Sequence, residues 1–261
     1  MTSRLADARV LMAMLRGMPP AGTHAERLAA FYAPQAERYD GFRDRLLHGR
    51  GALMAMLPLR SGDRVVELGG GTGRNAERLG SRLARLSRYT VVDLCPPLLA
   101  QARARAARLP ALQVVEGDAA TWSPAEAVDC VVFSYALTMI SDWQRAIDNA
   151  VAMLRPGGVV AAVDFYVSHA DPGNGMARHG PLARAFWPRW FRHDGVHLGP
   201  ERLDRLRDRL RTVVLIERTG NLPFLPGVRV PYYLFMGQRP PAGPPAGCAP
   251  RASPPPAAPP R

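Results

Sequence analysis

Apolar positions recur with helical spacing over residues 3–17, where Leu5, Ala8, Leu11, Met12 and Leu15 share one face before Pro19-Pro20 ends the run. A second helix is expected from Thr23, an N-cap with Glu26 three residues on. It carries Leu28, Phe31 and Tyr32 toward Pro34. A third covers 35–57, with Tyr39, Phe42, Leu46, Leu47, Leu53 and Met56. From residue 64 the pattern changes. Short apolar runs predict strands at 64–68, 89–94, 112–116, 129–134, 158–164, 212–218 and 231–237. Helical periodicity falls at 74–86, 96–108, 142–154 and 200–210. Such alternation predicts an α/β fold: a seven-stranded, largely parallel sheet with helices on both faces. The last two strands have no helix between them and are expected to pair antiparallel at the sheet edge.

Two stretches depart from this rhythm. Residues 167–199 hold Asp171-Pro172-Gly173, His169, His179 and the run Phe186-Trp187-Pro188-Arg189-Trp190-Phe191. They read as an insertion at the carboxyl end of the fifth strand, where a lid over a substrate would sit. Residues 239–261 are a Pro/Ala/Gly/Arg tail without core-forming content, expected to be disordered. The chain thus divides into an N-terminal helical cap (1–58), an α/β domain (59–238) and the tail (239–261).

With 261 residues, 47% of them hydrophobic, the chain can bury one full α/β core. All 34 basic Lys/Arg positions are arginine, and against 22 acidic residues they give a formal charge of +12. Three arginines lie in the tail, so +9 belongs to residues 1–238. A permanently positive surface of fork-shaped donors suits an anionic partner, either nucleic acid or an anionic membrane face. Cys95, Cys130 and Cys248 are too few and too scattered for a disulfide framework or a metal site. No apolar stretch is long enough to span a membrane, and the first residues lack the clean apolar centre of a signal peptide. The expected location is cytoplasmic, with peripheral contact to the inner membrane face.

The chemistry concentrates in Arg64-Val65-Val66-Glu67-Leu68-Gly69-Gly70-Gly71-Thr72-Gly73-Arg74-Asn75. A short strand ends in an acidic residue, and three glycines follow at alternate positions. Glycine lets the backbone turn sharply and approach a ligand. A strand, glycine loop and helix present a nucleotide-like ligand at the carboxyl edge of an open sheet. A dinucleotide fingerprint fits less well, because Arg74 and Ala76 occupy its third-glycine positions, and a P-loop needs a lysine the chain lacks. An adenosine-bearing cofactor also needs a carboxylate for its ribose, and Asp93 ends the second strand, followed by Leu94.

This spacing resembles the cofactor loop of class I S-adenosylmethionine-dependent methyltransferases, over about residues 60–238. The resemblance implies a Rossmann-like class I methyltransferase fold and S-adenosyl-L-methionine as cofactor. It implies cofactor contacts from Glu67, Gly69, Gly71, Gly73, Asn75, Asp93, Leu94, Asp118, Ala119 and Ser134, with Asp118 facing the adenine amino group. The loop from Tyr135 through Met139 would pass beneath the sulfonium, and Arg155-Pro156-Gly157-Gly158 resembles the family's turn before the fifth strand. The amino-methylating nucleic-acid motif is missing after the fourth strand, and no nucleic-acid partner is expected.

The segment Phe31 to Asp40, then Arg43, Leu46-Leu47 and Gly49-Arg50, is similar to a narrower group. These are the enzymes that N-methylate diacylglyceryl homoserine to make betaine lipid. Val230 to Gly237 is similar as well. The resemblance implies a lipid or small-molecule amine acceptor, up to three methyl transfers, and in-line attack by a neutral amine. Tyr39, Tyr135 and Asp164 are candidate proton acceptors. Tyr32, Arg43, Arg50, Trp187 and Tyr232 are candidate substrate contacts, the arginines for a carboxylate and the aromatic faces for a quaternary ammonium. A quinone precursor or another small molecule is the alternative acceptor. A second alternative is a non-catalytic RNA- or membrane-binding protein on the same fold.

Overall fold

A computed structural model gives the fold and describes residues 22–33, 39–223, 225 and 227–240. The expected first helix and nearly all of the Pro-rich tail lie outside the described residues. Two helices lead: α1 (His24–Tyr32) and α2 (Tyr39–Leu46). The α1 N-terminus is a capping box, with the Glu26 N–H donating to Thr23 Oγ1 (3.3 Å) and the Thr23 N–H to Glu26 Oε2 (2.7 Å). The single helix expected over 35–57 is two. Gly49, at φ +80°, ends α2's run and starts α3 (Arg50–Met56). Only glycine adopts that angle without strain, and a Cβ there would meet the Tyr232 ring at 2.7 Å.

The core follows as β1 (Arg64–Leu68), α4 (Arg74–Arg78), β2 (Arg88–Asp93), α5 (Pro96–Ala106), β3 (Leu112–Glu116) and β4 (Val128–Ser134). Then come α6 (Trp143–Met153), β5 (Leu154–Phe165), α7 (Pro181–Arg192), α8 (Glu201–Arg209), β6 (Arg211–Asn221) and β7 (Arg229–Gln238). The helix expected over 74–86 stops after α4 and continues as a 3-10 helix, Gly80–Arg85, where Gly80 takes φ +55°. The 167–199 segment contains α7, which the periodicity did not reveal. Pro188 inside it removes a backbone donor and masks the helical signal.

The strands form one sheet in the order β3-β2-β1-β4-β5-β7-β6. β1 to β5 are parallel, and β7 runs antiparallel between β5 and β6. The antiparallel pairing was expected; β7's place inside the sheet, with β6 at the edge, was not. Residues 159–165 of β5 are buried without interruption, as in a sheet covered on both faces. One apolar layer holds Leu53 and Met54 of α3, Leu99 of α5 and Phe191 of α7. The other holds Ile147 and Ala150 of α6 with Leu203 and Leu206 of α8. Each fully buried Leu or Met contributes roughly 1.5–3 kcal/mol. The chain reverses direction across the sheet between β1 and β4. Loops at the carboxyl ends of these strands splay apart there and leave a crevice.

Candidate active site

The glycine loop leaves β1 with Gly69, Gly71 and Gly73 all at positive φ (+69°, +54° and +71°). A Cβ at Gly69 would lie 2.6 Å from the Ala136 Cβ, so the β4 loop closes directly over the glycine loop. The Gly69 N–H donates to the Val92 carbonyl (2.8 Å). Asp93 ties the loop to the end of β2. Its Oδ2 accepts the Gly71 N–H and its Oδ1 the Cys95 N–H, both at 2.8 Å. A carboxylate oxygen has a second lone pair, so both retain capacity for a ligand's hydroxyls. Burial pushes the Asp93 pKa up, opposed by the Cys95, Gly71 and Leu94 N–H groups.

Gly69, Gly71, Asp93, Leu94, Asp118 and Ala119 line a cavity that opens to solvent. These six are cofactor residues expected from the sequence. Asp118 sits at its exposed edge and accepts the Ala120 N–H (2.8 Å). Leu28 and Tyr32 of α1 close the far wall, with the Tyr32 hydroxyl on Met139 Sδ (3.1 Å). The buried Cys95 also borders the cavity, and burial pushes its thiol up to about 12, so it is not a nucleophile at neutral pH.

The other expected cofactor residues lie elsewhere. Gly73 caps α4 and packs toward Val91, Ala102 and Leu112. Glu67 is buried behind the loop, accepting from Asn75 Nδ2 (2.6 Å) and the Tyr89 hydroxyl (2.8 Å). Burial pushes its pKa to about 7 against those two donors. Glu67, Asn75 and Ser134 border a second, smaller cavity with Arg43, Arg50 and Arg74.

Arg50 is paired with Asp44, which also binds Arg78 (2.5 Å) and Arg74 (3.2 Å). Burial raises the Asp44 pKa, but Arg50, Arg78 and Arg74 outweigh it and hold the carboxyl below its ordinary range. Thr72 in the glycine loop donates to Asp40 Oδ1 (2.7 Å), and Arg105 donates to the Thr72 carbonyl (2.7 Å) while pairing with Asp40. Two acidic residues of α2 thereby bolt that helix onto the loop.

A third, narrow cavity lies beneath α7. Tyr135, Phe165 and Phe191 form its aromatic wall, and Arg43 and Asp194 are its charged groups. Ring centroids are 4.6 Å apart for Tyr135–Phe165 and 5.0 Å for Phe165–Phe191. Asp194 is 7% exposed, and its Oδ1 is buried without a hydrogen-bond partner. Burial pushes its pKa to about 6, against the pull of Arg43 and His193. Sequence reasoning missed Asp194, because an Asp-Gly pair in an irregular segment reads as a turn. All three cavities share Tyr135 and Met139.

Two of the expected proton acceptors, Tyr135 and Asp164, are engaged in hydrogen bonds within the fold. Tyr135 is the only non-glycine at positive φ (+55°) among the described residues, a strained position at the meeting point of the cavities. Its hydroxyl donates to the His48 carbonyl (2.7 Å), and burial drives its pKa well above the ordinary value, so it keeps its proton. Asp164 accepts from Thr138 Oγ1 (2.8 Å), the Thr138 N–H (3.1 Å) and the Phe165 N–H (2.8 Å). It borders none of the three cavities and braces the β4 loop. Burial pushes its pKa to about 6. The Tyr39 side chain lies outside the described residues. Two expected substrate contacts are also displaced. Trp187 is 5% exposed and packs against Phe186 and Phe191, and Tyr232 is buried on β7 against His48. Tyr32, Arg43 and Arg50 do border the cavities.

Strand order, glycine loop and strand-end carboxylates together define a class I methyltransferase fold. Residues 65–158 match the family model described as a methyltransferase domain. A trans-aconitate 2-methyltransferase of Escherichia coli O157:H7 (strain EC4115 / EHEC) is 34% identical over 109 residues, 42% of each chain. Another, from Methylobacterium radiotolerans, is 30% identical over 151 residues, 56% of each. The matched stretch thus spans about half the length of these relatives or less. The N-methyltransferase NodS of Bradyrhizobium japonicum WM9, solved with S-adenosyl-L-homocysteine, superimposes with a TM-score of 0.58 at 23% identity. That match covers 83% of this chain and 96% of NodS, and at that identity it speaks for the fold. Residues 65–158 are thus similar to methyltransferase domains, on a fold shared with class I methyltransferases. The acceptor implied by the sequence resemblance, a betaine-lipid precursor, has no counterpart in these relatives' names.

Proposed function

We propose that the chain is an S-adenosylmethionine-dependent methyltransferase whose small acceptor binds beneath α7, in the cavity between Arg43 and Asp194. The observation that carries this reading is the sharing of Tyr135 and Met139 by all three cavities. A group bound at Asp93 and Asp118 and a group bound at Asp194 would meet at those two side chains.

The chain's residues fit the cofactor. Asp93 has acceptor capacity for ribose hydroxyls, Leu94 and Ala119 offer apolar contact for an adenine, and Asp118 stands at the cavity edge. Arg43 and Arg74 border the second cavity, where a carboxylate tail has cationic partners. When bound, S-adenosylmethionine supplies an electrophilic methyl group on a sulfonium. The protein's work is then positioning and exclusion of water, which contribute most of the rate for a substitution needing no strong base. Asp194 supplies what the tyrosines do not: a buried carboxylate facing the acceptor cavity. It holds an ammonium on entry and takes the proton when the amine becomes a nucleophile.

This arrangement favours an amine acceptor. An acceptor carrying both amine and carboxylate would satisfy Asp194 and Arg43 together, as the diacylglyceryl homoserine head group does. A second reading follows from the relatives' name and from Arg43 in the same cavity: a small carboxylic acid methylated on oxygen. Incubation with methyl-labelled cofactor and either diacylglyceryl homoserine or trans-aconitate separates them. Label in the lipid amine supports the first and label in the acid the second. Label in neither removes both acceptors.

A further inference from the structure

The outer face of α7 has no role in the reading above. Leu182, Phe186 and Trp190 are 85%, 47% and 48% exposed, and their i, i+4, i+8 spacing places them in one stripe. The Phe186 and Trp190 rings lie 5.5 Å apart, so the stripe is a continuous apolar strip rather than scattered single side chains. The helix and the run of chain before it carry one sign of charge. Residues 172–193 contain Arg178, Arg184, Arg189 and Arg192 and no acidic residue. Arg178, Arg189 and Arg192 are exposed. The inner face of the same helix carries Trp187 and Phe191 into the core, and Phe191 and Asp194 line the proposed acceptor cavity.

We propose that α7 docks the protein on an anionic lipid bilayer, with Leu182, Phe186 and Trp190 in the headgroup–acyl boundary and the flanking arginines on lipid phosphates. An amphipathic helix lying in the interface has an apolar stripe tipped with Trp or Phe and a rim of arginine. Anionic headgroups complement an acid-free, arginine-rimmed strip. A neutral protein groove would leave the rim arginines unmatched. A helix with its side chains is about 10–12 Å across, so docking sets the acceptor cavity one helix away from the bilayer. Only this last step rests on the proposed acceptor site; the docking itself does not.

The test is co-sedimentation of the full chain with vesicles of mixed phosphatidylglycerol and phosphatidylcholine, and with phosphatidylcholine vesicles. The expected result is sedimentation with the mixed vesicles alone. Phe186→Ser with Trp190→Ser, or Arg189→Glu with Arg192→Glu, should each reduce the bound fraction roughly tenfold. All these side chains are exposed, and an unchanged thermal melt checks that the variants fold. No sedimentation of the wild type overturns the proposal. So does sedimentation that neither variant changes, or a solution dimer that the serine variant dissociates. S-adenosylhomocysteine binding, measured without vesicles, tests the cofactor site separately: its loss with docking intact would sink the function and leave the docking face standing.

Discussion

At the residue scale, Asp194 sets function against stability. A carboxyl held at about 6 by burial binds its proton more tightly folded than unfolded. Stability therefore falls as pH rises from the ordinary carboxylate range toward 6, and the cost is fully present above that. Asp194→Asn should raise the urea midpoint at pH 8 and leave it unchanged at pH 4. The same substitution should abolish the rise in methyl transfer to an amine through pH 6. A purely structural Asp194 would show the first effect without the second. Gly69→Ala is the opposite case. Positive φ and a 2.6 Å approach to Ala136 should cost about 1–3 kcal/mol and weaken cofactor binding, read by denaturant unfolding and calorimetry. Gly69, Gly71, Asp93 and Asp118 were legible because one loop and two strand ends place them. Glu67, Asn75 and Ser134 were legible as a motif but not in direction. Asp194 was illegible, since only the packing of α7 on Phe165 brings it to the cavity.

At the scale of elements, the cap is fastened by charge as well as by apolar packing. Asp40 and Asp44 of α2 meet four arginines, three from the core (Arg74, Arg78, Arg105) and one from α3 (Arg50). A carboxyl with a depressed pKa contributes stability present above its unfolded value and lost as pH falls through the folded one. For Asp44 that window lies below the ordinary carboxylate range. Asp44→Asn should raise amide exchange in α2 and α3 at neutral pH, while β1 and β4 stay protected. Equal exchange in the variant and the wild type would mean the ion pairs do not hold the cap. Strands were legible because a doubly covered sheet writes unbroken apolar runs. The break at Gly49 and the 3-10 turn at Gly80 were not, since apolar spacing continues through both. α7 was hidden by Pro188 and by a stripe that faces outward.

At the scale of the molecule, the all-arginine basicity is partly spent inside, on Asp44, Asp40 and backbone carbonyls such as Leu137, which Arg202 reaches at 2.7 Å. Among the described residues no helix is long and apolar enough to cross a membrane, and no cluster is suited to a metal ion. What remains is a crevice at the sheet's switch point with a basic, apolar-tipped helix beside it. The central claim is that this crevice holds the cofactor through Asp93. The direct measurement is calorimetric titration of the purified chain with S-adenosylhomocysteine, for the wild type and for Asp93→Ala, each with a thermal melt. The account predicts one site in the wild type and at least roughly tenfold weaker binding in the folded variant, the loss of charged hydrogen bonds being worth about 1.5–3 kcal/mol. Binding absent from the wild type, or unchanged in the variant, would contradict it.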